Sequence, residues 1–542
     1  MKRYWKWALA AGAAIIVLVV AALVALSSLV DTPRVQALIA AGASQALGRP
    51  VTFSSVSVKV LPLPAVELHQ LQVAEDPQFG SVPFLKLDTG EVRFRLRPLL
   101  TGRLEFGDVV LTKPTISVIQ DAAGRWNIAS LGGPADTRTP ALRPRSGGGA
   151  ATAGAGAVLG SRVKLEDGIV TYVARTAGGA VSNYRLENVD LTLTGNGSQL
   201  AVKAAARVKP GDLALSLSDG SVTLGTGRSL LESQVRGRLS IEGKDIKDLV
   251  ATAAGPSPVM GGGIKGTLML AGAVGSPRAS GDIELSNLSV TEVNAQCPEP
   301  KRRTLTLPSL RLNAAWEEGT LLGRPLTTGL GNGTVSGTLI ATVERGVHVQ
   351  LKDLGVKALP LEKILVDFLC QGYAITGPMD LRGTVSLSPR DIWNTLSGAG
   401  QLRIGPGKIV GARALELLGT VTRLRSAVSS LLSADVPPSR FSSPLDYDSI
   451  TGSCQITNGV VTTRDLVYTS RLVKIGIAGQ YALASGRMDL DLAMSHGRGE
   501  IQAKVTGSAA SPSIRVVPAS VLKNVDRGKV ERGLQDLLKR LR

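Results

Sequence analysis

From Ala8 to Val30 the chain reads ALAAGAAIIVLVVAALVALSSLV, 23 residues without a single charge. As an α-helix this run is roughly 34 Å long, enough to cross a hydrocarbon core of about 30 Å. No other feature restricts the fold as much, because a spanning helix commits all that follows to one side of a membrane. A cleaved signal peptide is the rival reading. Its apolar region is typically about 7–15 residues, and no clean small-x-small site precedes Asp31. An uncleaved anchor is therefore expected, with Ala8, Ile15, Val20 and Val30 along its length. Lys2, Arg3 and Lys6 precede it and set the topology, and Tyr4, Trp5 and Trp7 suit the interface. The expectation is a single-pass inner-membrane protein with a cytoplasmic N-terminus and its bulk in the periplasm.

After the anchor, Asp31-Thr32-Pro33 is a helix start, and apolar residues recur at helical spacing from Arg34 to Leu47 before Gly48-Arg49-Pro50. The period then changes to two. Val51, Phe53 and Val56-x-Val58-x-Val60 alternate, as do Glu91 to Arg97, Arg103 to Phe106, Arg162 to Leu165, Asp190 to Thr194 and Gly237 to Ile241. Strand patterns then recur every ten residues or so, separated by Gly, Asn or Asp, which predicts an antiparallel meander. Aromatics are only 4% of 542 residues against 62 Gly, a balance that suits long sheets better than helical packing. The expected fold class is mainly β with a few helices. A transmembrane helix leads into long antiparallel, curved sheets, groove-like or sandwich-like.

Internal helices are expected at Asp245–Ala254, Leu361–Cys370 and Ala412–Leu432. Gly132 to Gly160 is rich in Gly, Ala, Pro, Ser and Thr and reads as a low-complexity linker. Val521 to Arg542 is a basic amphipathic helix whose Lys523, Arg527, Arg532, Lys539 and Arg540 suit contact with a membrane surface or a partner. Its leucines suit capping of the sheet equally well. The organisation expected is a cytoplasmic tail (1–7), anchor (8–30), N-terminal module (31–131), linker (132–160), middle β region (161–345), C-terminal module (346–516) and basic helix (517–542).

The net charge of +18 raises the question of nucleic acid. Binders of nucleic acid concentrate Lys and Arg on one patch, whereas here they are spread over strands and turns and few aromatics can stack on bases. A membrane surface fits better. Cys297, Cys370 and Cys454 allow at most one internal disulfide, and its pairing stays open. His69, His348 and His496 are isolated, so neither a metal nor a cofactor is expected.

Three short motifs touch on catalysis. Gly261-Gly262-Gly263-Ile264-Lys265-Gly266 fits G-x-G-x-x-G but is followed by a strand pattern and reads as a turn. Ser161-Arg162-Val163-Lys164 fits S-x-x-K without its companion motifs, and in a strand the two side chains face opposite ways. Asp489 and Asp491 share one face of a strand and read as its wet side. No catalytic residue is assigned, and a non-enzymatic protein is expected.

The order of several short signatures resembles the AsmA-like family of bacterial inner-membrane-anchored periplasmic proteins. At the front they are Leu47-Gly48-Arg49-Pro50-Val51, Leu61-Pro62-Leu63-Pro64, Leu96-Arg97-Pro98-Leu99-Leu100-Thr101-Gly102, Lys113-Pro114 and Asp121 to Asn127. At the back they are Leu396 to Gly400, Gly407 to Gly411, Asn458-Gly459-Val460, Asp465 and Gly479. Pro406 stands where the family pattern suggests an acidic turn residue. The resemblance implies envelope biogenesis, supporting outer-membrane assembly or moving phospholipid through an apolar β-groove. The alternative is a periplasmic scaffold or regulator of outer-membrane protein assembly that carries no lipid. The partners implied are membrane lipids, phospholipid first, and outer-membrane assembly proteins.

Overall fold

A computed structural model describes residues 33–59, 65–94, 106–131, 162–175, 181–195, 198–225, 230–294, 297–343, 346–370, 374–410, 446–471, 474–496, 499–508 and 511–516. No helix among them is long and apolar enough to cross a membrane. The expected anchor at 8–30, the linker at 132–160 and the helices expected at 412–432 and 521–542 lie outside the described residues. The chain divides into two compact units, Met1–Lys244 with Lys265–Gly281, and Asp245–Ile264 with Asp282–Arg542.

In the first unit, helix α1 (Pro33–Leu47) starts on a proline, whose fixed φ suits a first turn, and stops at Gly48 with φ 71°. Eleven strands follow among the described residues. They are β1 (Val51–Thr52), β2 (Ser55–Lys59), β3 (Ala65–Val73), β4 (Leu85–Phe94), β5 (Phe106–Thr112), β6 (Thr115–Gln120), β7 (Arg162–Arg175), β8 (Val181–Thr194), β9 (Gln199–Lys209), β10 (Leu213–Thr223) and β11 (Gln234–Gly243). β2 to β5 and β7 to β11 each pair antiparallel with the next. The meander is broken once: β5 and β6 both run parallel to β7. A purely antiparallel arrangement was expected, but the chain leaves the sheet after β6 and re-enters it in the same direction.

β12 (Val259–Ala273) and β13 (Ser276–Val293) follow α2 (Lys247–Ala254), with their Lys265–Gly281 part in the first unit and the rest in the second. The second unit then continues with β14 (Arg302–Glu317), β15 (Thr320–Leu330), β16 (Gly333–Thr342), β17 (His348–Pro360), β18 (Ala374–Ile375), β19 (Pro378–Leu387), β20 (Ser397–Ile404), β21 (Gly407–Val410), β22 (Asp446–Tyr447), β23 (Ser449–Thr457), β24 (Val460–Thr469), β25 (Lys474–Ala482), β26 (Arg487–His496), β27 (Gly499–Ser508) and β28 (Ser511–Val516). β14 to β17 pair in sequence order, and β17 pairs with β19. The ladder continues through β20 and β23 to β28. β18, β21 and β22 form a separate three-stranded sheet. A π-helix covers Lys363–Phe368, within the helix expected at 361–370, and α3 (Ile392–Thr395) starts where Asp391 accepts a hydrogen bond from the Asn394 amide.

Two sequence readings are corrected here. Gly261 to Gly266 is not a turn but lies inside β12, where Asp245 accepts the Gly262 N–H at 3.2 Å. The Asn and Asp residues taken to separate strands often lie within them. β7 spans 14 residues through Asp167-Gly168, and β10 spans 11 through Asp219-Gly220. Asp-Gly is a strong hairpin signal, but the same left-handed conformation also makes a bulge inside a strand.

Candidate functional site

Alternation along each strand gives one apolar face, and register decides how those faces join. In the first unit, Val58, Val66, Val92, Val109, Val163 and Leu193 are direct cross-strand partners in turn. All six are half-buried. On the same face a second row runs Val56, Leu68, Gly90, Leu111, Leu165, Leu191, Ala204, Leu217 and Leu239. A third runs Ile116, Val170, Leu186, Val208 and Leu213, flanked by the stacked rings of Trp126, Tyr172 and Tyr184 at 5.6 and 6.4 Å. Each row lies across the strands. At about 4.8 Å per strand, the second spans nine strands and roughly 38 Å.

The second unit repeats the arrangement. Leu359, Met379, Ile404, Ile450, Tyr468, Ile475 and Met494 are successive partners. Leu359, Ile404 and Ile450 are buried, while Tyr468, Ile475 and Met494 are half-buried. The parallel row Leu466, Ile477, Leu492 is half-buried throughout.

The other face is polar. It carries Arg162–Asp108 at 3.8 Å, Arg185–Glu187 at 3.1 Å and Arg311–Glu284 at 3.0 Å. Asp489 and Asp491 are exposed there and share Lys504, at 2.9 and 3.5 Å. The hydrogen bond and charge of Asp489 hold the Lys504 pKa above its ordinary value. These pairs are solvent-exposed and contribute little stability, but they keep the two faces chemically distinct.

What bends the sheet is a series of β-bulges. Asp167, Asn188, Asp219 and Asp353 have φ between 50° and 51°, and at each the bulged strand uses one residue more than its partner. A bulge bends its strand and raises the local twist. Glycines allow the tight strand contacts these bends require. A Cβ on Gly220 would lie 2.5 Å from the Val202 carbonyl, and one on Gly383 would lie 2.2 Å from that of Ala399.

Several of the signatures that resemble a family are joints in this framework, while Leu61 to Pro64 and Leu96 to Gly102 lie outside the described residues. Arg49 and Asn127, 78 residues apart, meet in a buried polar knot. Arg49 Nη1 donates to Glu75 Oε1 at 3.0 Å, Nη2 donates to Ser130 Oγ at 2.7 Å and to the Asn127 carbonyl, and the guanidinium lies over the Phe84 ring. Asn127 Nδ2 donates to Glu75 Oε2 and to the Ser117 carbonyl, both at 2.8 Å, while its Oδ1 accepts the Ile119 N–H at 2.9 Å. The knot fastens the end of α1 to the β3–β4 connection and to β6. At the other end of the chain, the Gly459 amide donates to Leu396 O at 2.8 Å, and Asp465 accepts both the N–H and the hydroxyl of Ser453 at 2.8 Å. The Ser453 backbone bond, then its hydroxyl, holds the Asp465 carboxyl below the usual carboxylate range.

The topology-setting and anchor residues (Lys2, Arg3, Lys6, Ala8, Ile15, Val20, Val30) and the basic helix residues (Lys523, Arg527, Arg532, Lys539, Arg540) lie outside the described residues. Of the S-x-x-K motif, Arg162 to Lys164 lie in β7, and Ser161 is outside the described residues. Cys297 and Cys370 form the disulfide that the sequence left open, and Cys454 is a free thiol. One contact escaped sequence reasoning: Ser57 Oγ lies 3.0 Å from His69 Nε2, a cross-strand hydrogen bond between β2 and β3. Glu67 approaches that serine at 3.4 Å rather than the imidazole, and Lys59 engages Glu67. This is not the geometry in which a carboxylate orients a catalytic histidine.

Residues 1–264 match the model of the AsmA family. No curated protein and no solved structure matches the chain. The matched stretch contains the Arg49–Glu75–Asn127 knot and the first unit's rows, and over those residues the chain is similar to the AsmA family.

Proposed function

We propose that this protein is a non-enzymatic envelope-biogenesis protein, held at the inner membrane by residues 8–30, that carries phospholipid acyl chains along the apolar rows of its bent sheets. The observation that carries this reading is the set of continuous cross-strand rows left half-buried opposite a charged face. Acyl chains laid along such rows gain about 0.8 kcal/mol per buried CH₂, while headgroups stay at the polar margin. The Cys297–Cys370 disulfide supports an oxidising compartment, as the periplasm is.

The test places a photoreactive benzoylphenylalanine in the full chain in cells, at Leu191 or Leu217 on a row and at Thr192 or Lys203 on the opposite face. Phospholipid adducts at the row positions, with none at the other two, support transport. Protein adducts alone at every position refute it and favour the scaffold reading, in which the chain assists outer-membrane protein assembly without lipid.

A further inference from the structure

In the second unit one row changes character along its length. Leu359, Ile404 and Ile450 are buried with a half-buried Met379 between the first two, while all the partners further along, Tyr468, Ile475 and Met494, are half-buried. The difference coincides with a cover made of residues 361–370, which leave β17 and cross the face, beside Ile375 of β18, Ile409 of β21 and Tyr447 of β22. Leu361 is buried with Ile404, Tyr447 and Ile450, and Leu365 packs against the same cluster. Ile364 packs on the neighbouring cluster of Leu330, Leu354, Val356 and Leu359. The outward side of the segment is wet, with an exposed Lys363–Asp367 pair at 3.2 Å and an exposed Val366.

How the segment is held matters as much as what it covers. Its start continues β17, and the Leu361 amide donates to Gly377 O at 3.2 Å. Its far end is tied to the residues just before β14. Asn294 Nδ2 donates to Leu369 O at 2.9 Å, and Cys370 is bonded to Cys297 across 73 residues of sequence. The helix between these ties is a π-helix, whose widened turn is a rare conformation often found at functional positions.

We propose that residues 361–370 are a strap latched by the Cys297–Cys370 disulfide, which seals one half of this row and confines acyl chains to the other half until the latch is reduced. Reduction by a dithiol transfers two electrons: the dithiol closes to its own disulfide, and Cys297 and Cys370 each take up a proton as thiols. The far end then keeps only the Asn294 hydrogen bond, and when it opens Leu359 and Met379 become accessible to an acyl chain. The occupant rests on the lipid reading above, whereas the latch rests on the geometry alone.

The experiment uses the full chain in detergent micelles, oxidised or reduced with dithiothreitol, with circular dichroism confirming that the sheet is retained. Limited trypsin digestion reports the strap through cleavage after Lys363. A diazirine-bearing C16 fatty acid reports the row through mapped adducts. On reduction, cleavage after Lys363 should rise about tenfold or more, and adducts should extend from β25 and β26 to β17 and β19. Leu365→Asp, which dislodges the strap and leaves both cysteines, should produce the same adducts in the oxidised protein. Unchanged cleavage overturns the latch. Increased cleavage with unchanged adducts overturns the seal and leaves the lipid reading standing. Absence of adducts on any row in either state removes the lipid reading, and the cleavage result still decides the latch.

Discussion

Asn127→Ala is the sharpest test of the claim that the N-terminal signatures are joints. The Asn127 side chain is wholly buried and makes three hydrogen bonds, to Glu75 Oε2, Ser117 O and the Ile119 N–H, at 2.8, 2.8 and 2.9 Å. Alanine removes all three and leaves a buried carboxylate short of a partner. At about 1 kcal/mol for each neutral bond and roughly 1.5–3 for the one to the carboxylate, the local cost is about 4 kcal/mol. At 1.4 kcal/mol per decade this corresponds to several hundredfold faster exchange of amides that open with the knot. Hydrogen-exchange mass spectrometry on the full chain, read on peptides from 65–79 and 115–131, measures it directly. Asn183→Ala, at an exposed position of β8, is the control and should leave those peptides unchanged. An increase below about fivefold, or roughly 1 kcal/mol, would refute the assignment, because three satisfied buried bonds cannot be lost so cheaply.

Three further outcomes follow from the same geometry. Glu75→Gln leaves Arg49 buried without its counter-charge and should destabilise the first unit by about 3–5 kcal/mol in denaturant unfolding; a change within experimental error would show that shape and not charge holds the knot. Gly479→Ala would put a Cβ 2.2 Å from the Asp489 carbonyl at φ 134°, so amides of β25 and β26 should lose protection while β27–β28 keeps theirs. For Asp465, whose folded pKa is depressed, the stabilisation is present above its unfolded value near 3.9 and is lost as pH falls through the folded one. The wild-type β23–β24 hairpin should therefore lose more protection below about pH 4 than the Asp465→Asn variant does, and coincident pH profiles would reject the assignment.

Much of the architecture was legible because period-two alternation is a direct record of burial on one face. α1 was legible from its start signal and spacing, and helices were also expected where α2 and the helical segment at 361–370 stand. Bulges were not, because Asp167-Gly168 and Asp219-Gly220 satisfy the same steric rule as hairpin turns, and only the partner strand shows which has formed. Register hid the rows in the same way: each strand declares its apolar face, but nothing local to Val163 reveals that it sits between Val109 and Leu193. The knot escaped for a related reason. Arg49 and Asn127 were visible only as parts of separate stretches, Glu75 was in no stretch that stood out, and an arginine beside a proline ordinarily signals a solvated turn. Cys297 and Cys370 were visible as thiols, yet spacing alone could not choose between them and Cys454.

The pairing pattern also has a consequence for how the chain acquires its structure. Most strands bond to their immediate successors, so most contacts close short loops and can form as soon as two strands are available, which favours rapid, stepwise assembly. Several junctions depart from this rule, and the two that close the longest loops are those of β5 and β6 with β7 and of β20 with β23. Ile116 finds Val170 in the parallel β6–β7 pair, 54 residues on, and Ile404 finds Ile450 in the β20–β23 pair, 46 residues on. Loop-closure entropy must be met there before any contact compensates for it. These two closures are the expected kinetic bottlenecks, one in each unit, and a strand edge waits unpaired at each until the distant partner arrives. A chaperone that recognises extended, unpaired strands would therefore find its substrate at β6 and at β20, and shortening either intervening segment should speed folding more than it changes stability.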